Sequence, residues 1–281
     1  MFKKTIKLTG LLMLLLLSFI YTDRVFSSAR ASDPVMLEVI NYKKKKDVTP
    51  VEPTINGDEI ILGASGIVVD TKKSYNNMKD NDRFDEEKIV YESKRPKDTI
   101  TNTYKYYIKK GNSSKKRVAI IFKISDDQKK YDNLLASLSK RGVNVSFFVD
   151  GIWLSNNVDM AFEMTNQGHE LYNLGYNGLY DKKMISVTNN LIESITLKNS
   201  NFCLNDNKDN DSKKVCDKKR MHTLISTLNS PSISELKEGL TSGAIISYDA
   251  SEFDISNIGI IINTITSRGY EIKPLSSIIK E

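Results

Sequence analysis

From Arg117 onward the chain alternates short apolar runs with amphipathic segments, and this alternation constrains the fold more than any other feature. RVAIIF opens the series and predicts a strand over 118–122. Tyr131, Leu134, Leu135 and Leu138 then recur at helical spacing until Arg141-Gly142 stops the helix. A second strand is predicted over 145–149, followed by a helix over 158–164 that ends at Gly168. A third strand over 170–173 precedes a helix with Met184, Val187, Leu191 and Ile195 on its apolar face. Short strands around Phe202 and over 221–225 flank a helix at Cys216. Ile258, Ile261, Ile262 and Ile265 then mark a last helix at i, i+3, i+4 and i+7. Successive β-α units in this order imply a parallel sheet, curled or open.

At 281 residues the chain has room for one large domain or two smaller ones. The formal charge is +6, but residues 1–31 contribute +4 of it, leaving +2 for the remainder. So mild a charge, with no basic helix carrying interleaved aromatics, argues against nucleic acid as a partner. The first residues, MFKKTIK, precede an apolar run from Leu8 to Tyr21. About 14 residues suit a signal-peptide core better than a full span, which takes roughly 20. Ala29-Arg30-Ala31 before Ser32 offers a small-x-small cleavage site, with an uncleaved anchor as the alternative. The expected location is therefore extracellular or cell-surface, and the membrane is touched only through the N-terminal segment.

Residues 32–54 hold a predicted short strand, VMLEVI, a lysine run, and Pro50 and Pro53, and read as a solvated linker. Residues 55–112 read as a small α+β module. DEIILGASGIVVD predicts two strands about a Gly63-Ala64-Ser65-Gly66 turn, and Tyr75, Met78 and Phe84 mark a helical piece. Gly63 and Gly66 do not make a phosphate loop, because no G-K-[ST] follows. Cys203 and Cys216, in an exported chain, are either a disulfide or two free, partly buried thiols.

The words that carry these strands resemble one family. IIFKISDD, VSFFVDG and QGHELYNLGYNG follow the order T-F-D-D-G, T-F-F-V and G-H-E-I-G-N-H-T-x-S-H of the polysaccharide deacetylases with a NodB-homology domain. The resemblance covers residues 115–281, through LTSGAII and GYEIKPLS near the end. It implies the distorted (β/α) barrel of that family, preceded by the small α+β module and the N-terminal signal or anchor.

In those enzymes the resemblance implies one aspartate as general base and a second, with two histidines, as metal ligands. Here Lys123 and Ile124 stand at the aspartates, and Leu174 and Gly178 at the histidines. A later histidine falls on Tyr248, and the arginine segment that orients the base is replaced around NFCLND. No cofactor and no metal site are therefore expected, and no catalytic residue. Asp126 and Asp127, three residues further along than the family's pair, are the weak alternative, and with them a divalent metal such as zinc. A turn before the helix is the blander account of that pair. His169 is read as structural; His222 lacks a partner at ligand spacing.

The barrel mouth implied by the resemblance holds Asp150, Trp153, Asn173, Tyr176, Asn177 and Tyr248 as candidate ligand-binding residues. Aromatic faces beside amides and carboxylates suit sugar rings. The expected function is an exported deacetylase-like pseudoenzyme that binds cell-wall polysaccharide, peptidoglycan or a partner through the vestigial cleft. The alternative is an active C–N hydrolase deacetylating N-acetylated glycan from a displaced site. A third reading makes residues 55–110 the functional part and the barrel its scaffold.

Overall fold

A computed structural model of the protein describes residues 13–14, 17–18, 32–100, 104–125 and 131–279. The expected signal or anchor segment lies almost entirely outside the described residues. No helix among those described is long and apolar enough to cross a membrane. The chain divides into two compact units, at boundaries other than the 32–54 and 55–112 segments expected from sequence.

The smaller unit takes its described residues from 13–14, 17–18, 32–49 and 66–94. VMLEVI is helical, not a strand: it lies in a helix over Pro34–Lys46. Asp33 caps that helix by accepting from the backbone N–H of Val35, with Pro34 at the first turn and four lysines in the last turn. Each of these favours a helix over a strand, through the cap, the preset proline φ and the dipole. Val35 and Val39, one turn apart, pack against Val69, Tyr75 and Met78. Gly66–Val69 pairs antiparallel with Tyr91–Lys94.

That pairing displaces the hairpin expected around Gly63–Gly66. The strand before those glycines belongs to the other unit and pairs there in parallel with Tyr107–Lys110. Gly63 instead answers a close approach: a Cβ there would collide with the Val51 carbonyl oxygen.

The larger unit, from residues 50–65 and 95 onward, is built on one curled sheet. Its strands are β1 (Thr54–Asn56), β2 (Glu59–Ile61), β3 (Tyr107–Lys110), β4 (Arg117–Ile124), β5 (Ser146–Val149), β6 (Glu170–Asn173), β7 (Phe202–Leu204), β8 (His222–Leu224), β9 (Leu228–Asn229), β10 (Ile245–Asp249) and β11 (Glu271–Ile272). Their order is β1-β2-β3-β8-β7-β6-β5-β4-β10-β9, with β11 also on β4. All neighbours are parallel except β1 and β2. The segment after β8 draws the sheet round: Ile225 N–H donates to Ile108 O, and Thr227 N–H to Ile245 O.

The helices are α1 (Tyr131–Ser139), α2 (Gly151–Asn156), α3 (Val158–Asn166), α4 (Lys182–Thr196), α5 (Asn210–Lys218), α6 (Ile233–Gly239), α7 (Ile258–Ser267) and α8 (Leu275–Ile279). Period-two alternation sorts β4 into two cores. Val118, Ile120, Phe122 and Ile124 face outward, where Leu134, Leu135 and Leu138 of α1 and Ile258, Ile261, Ile262 and Ile265 of α7 cover them. Ala119 and Ile121 join a second cluster with Phe148, Tyr172, Phe202, Leu224 and Leu275. The buried stripe of α4 is Ile185, Thr188, Ile192 and Ile195, displaced one position from the expected Met184, Val187 and Leu191. A buried hydroxyl decides this, because Thr188 Oγ1 donates to Gly175 O at 2.7 Å.

The N-terminal ends of the strands are tied to α8 through one carboxylate. Glu170 accepts from Ser146 Oγ at 2.8 Å, Tyr172 OH at 2.9 Å, and both the N–H and the hydroxyl of Ser276. Cys203 and Cys216 are joined in a disulfide that fastens α5 to β7.

Candidate functional site

The C-terminal ends of parallel strands are where α/β folds assemble sites, since the loops there are free to carry varied side chains. Alternation along β4 turns Lys123 to the face that Ala119 and Ile121 share. Its ammonium donates to Asn229 Oδ1 at 3.2 Å and lies 3.6 Å from Asp206 Oδ2. The two charged side chains are only 20% and 13% exposed. Asp206 Oδ1 accepts from Ser226 N–H at 2.7 Å. Ser226 Oγ and Ser247 Oγ are hydrogen-bonded at 2.7 Å, and Ser247 donates to Asn229 Oδ1 at 3.0 Å. The mouth of the barrel thus holds a continuous polar network centred on a cation.

This network contains one of the two positions at which the family resemblance places aspartates, and a residue of the segment that stands in for the family's arginine motif. Lys123 stands at the aspartate, and Asp206 belongs to the NFCLND segment.

The residues do not fit a divalent metal at this position. An ammonium repels a cation, and Ile124, Leu174 and Gly178 supply no side-chain donor. Ile124 is moreover buried in the outward-facing core. Among the described residues no group of three or more His, Cys, Asp or Glu side chains is placed to hold a metal. Asp126 and Asp127 lie outside the described residues.

Of the six sequence-derived cleft residues, four are buried within the fold. Asp150 caps α2 through Ile152 N–H at 2.8 Å and accepts from Gly178 N–H at 3.0 Å, which fixes the loop after β6. Asn173 donates to Ile185 O and Asn189 Oδ1 on α4 and accepts from Gly175 N–H. Trp153 packs edge-on to Tyr131 in the sheet–helix layer. Tyr248 lies in that same layer against Phe122 and Phe253, and burial raises its phenol well above the usual range, so it stays neutral.

Tyr176 is half-buried and Asn177 is exposed. Gly151 seats Tyr176, because a Cβ there would strike the Tyr176 ring and the Thr188 hydroxyl. Asn177 takes a positive φ of 52°, tolerable for asparagine.

Sequence reasoning did not single out Asp206, Ser226, Asn229 and Ser247. Alternation was the available signal for Ser247, since Tyr248 next to it must face the opposite way. Asp206 lies just past β7 and Asn229 ends the two-residue β9, so only the curl of the sheet brings them to Lys123.

Neither histidine stands in this network. His169 Nδ1 accepts from Val145 N–H at 3.1 Å and its ring is edge-on to Phe147. His222 stacks on Tyr104. Burial lowers both imidazoles to about 4.

Residues 110–195 match the family model for polysaccharide deacetylase. The uncharacterized protein YlxY of Bacillus subtilis (strain 168) is 30% identical over 150 residues, 52% of this chain. That stretch spans 46% of YlxY, so about half of the relative's length is matched.

Among solved structures, wild-type BA3943, a CE4 family pseudoenzyme from Bacillus anthracis, aligns with a TM-score of 0.68 at 20% identity, covering 89% of this chain and 96% of that one. A BA3943 mutant described as having restored enzymatic activity aligns with a TM-score of 0.69 at 20% identity, over 88% and 98%. PdaA of Bacillus subtilis, a family 4 carbohydrate esterase, reaches 0.52 at 17% identity, over 62% and 84%. At these identities the likeness is one of fold. Taken with the matched family model, it shows that the chain carries a divergent polysaccharide-deacetylase-type domain on the curled α/β barrel of that family.

Proposed function

We propose that this chain is an exported, non-catalytic polysaccharide-deacetylase-like protein that binds cell-wall glycan, peptidoglycan or a partner through the mouth of its barrel. The observation that carries the reading is the Lys123–Asp206–Asn229 network. Deacetylation of an amide needs a base and an electrophile at the strand ends. Lys123 is committed there to a carboxylate and an amide oxygen, which suits neither role. Similarity to a pseudoenzyme of the same fold supports this reading, and similarity to carbohydrate esterases supports a glycan as the ligand class. Tyr176 and Asn177 offer a ring and an amide at the rim, with Asp150 holding the loop that presents them.

The test is made on residues 32–281 loaded with zinc, cobalt or nickel. Acetate release from N-acetylglucosamine oligomers and peptidoglycan is measured beside sedimentation with purified cell wall. No acetate, with wall binding weakened severalfold by Tyr176→Ala, is the expected outcome. Turnover abolished by Asp126→Ala or Asp127→Ala would refute the proposal in favour of a hydrolase with a displaced site.

A further inference from the structure

Because the strands run parallel, their N-terminal ends gather at the face opposite Lys123, around Glu170, Phe202 and His222. That face carries a groove of about 1290 Å³. Tyr104 lines it, with its ring stacked on His222 at a centroid distance of 4.2 Å. Arg95, Lys198 and Arg220 also line it, and none of the three has a carboxylate within ion-pair distance among the described residues. The acidic residue in the lining is Glu170, whose oxygens are taken by Ser146, Tyr172 and Ser276. Those donors are neutral, so Glu170 keeps its negative charge, and the three cations against one carboxylate leave the lining net positive. Outside residues 1–31 the chain carries a net charge of only +2, so this positive character is local.

We infer that this groove is a second binding site, separate from the barrel mouth, for an anionic saccharide: sugar rings bearing a carboxylate or a phosphate. Guanidinium and ammonium groups without a carboxylate partner supply charge-assisted hydrogen bonds to either anion. The Asn199 and Asn201 amides, also in the lining, match sugar hydroxyls, and Tyr104 offers an aromatic surface to a ring. The volume exceeds the roughly 300–1,000 Å³ of a drug-sized pocket, which leaves room for more than one sugar unit. The site does not depend on the function proposed for the mouth.

The full chain is titrated calorimetrically at low salt with three probes. These are N-acetylglucosaminyl-N-acetylmuramic acid, which carries a carboxylate, N-acetylglucosamine 6-phosphate, and neutral diacetylchitobiose. At least one anionic probe is expected to bind tenfold or more tightly than chitobiose. Which anion binds identifies the chemical source. The exposed double substitution Lys198→Gln/Arg220→Gln is expected to erase that preference at an unchanged melting temperature, while Tyr176→Ala at the mouth leaves it intact. Equal affinity for neutral and anionic probes, absence of saturable binding, indifference to the double substitution, or loss in Tyr176→Ala would each overturn the assignment.

Discussion

Lys123 and Asp206 form an ion pair with most of both side chains removed from water, and separating them should be measurable. At 3.6 Å and an effective dielectric of about 20, their gross attraction is about 5 kcal/mol. Desolvation offsets much of it. Lys123→Met keeps the side-chain length but leaves Asp206 as a carboxylate 13% exposed, with one hydrogen bond, from Ser226 N–H. The expected loss is about 2 kcal/mol, or about 4–8 °C in melting temperature for a unit of this size. Asp206→Asn alone strands the ammonium instead. In the double variant neither charge is left unpaired, so part of the loss returns. Urea denaturation of the wild type, both single variants and the double variant closes a cycle, with an expected coupling of about 1 kcal/mol or more. Additivity within about 0.3 kcal/mol would show that the two groups do not sense each other, and the mouth network would lose its centre.

Two further outcomes are expected. Burial holds His169 and His222 near 4 when folded, against about 6.5 when unfolded, so the unfolded chain binds more protons between those values. Their contribution is complete above about pH 7 and is lost as pH falls from about 6.5 toward 4, by up to about 3 kcal/mol per imidazole. Urea midpoints across pH 4–8 should show this slope, and His169→Asn/His222→Phe should flatten it; a wild-type midpoint constant over that window contradicts the assignment. Glu170→Ala removes the acceptor shared by Ser146, Tyr172 and Ser276 and should cost about 3 kcal/mol. It should also speed amide exchange across α8, measured by mass spectrometry; unchanged protection there would show that α8 is held by its apolar contacts alone.

Strands β4 and β6, the apolar face of α1 and the isoleucine stripe of α7 were legible from spacing, because each is set by contacts within a few residues. That Ile124, Leu174 and Gly178 carry no donor side chain was legible too, wherever the chain places them. VMLEVI was misread because its capping aspartate and terminal lysines outweigh β-branched propensity. The Gly63 turn was misread because strand partners are chosen by distant chain: Glu59–Ile61 pairs with Tyr107–Lys110, and Gly66–Val69 with Tyr91–Lys94.

The sequence by itself determined the alternating β-α order and the side chains without donors at Ile124, Leu174 and Gly178, both properties of residue type and local period. Only the tertiary structure decided which polar groups meet. Curling the sheet brings Asp206 and Asn229 to Lys123 across 83 and 106 residues of chain, and pleating turns Ser247 into the mouth while Tyr248 goes to the helix layer. Such meetings depend on strand order and facing, and those are fixed by burial over the whole barrel.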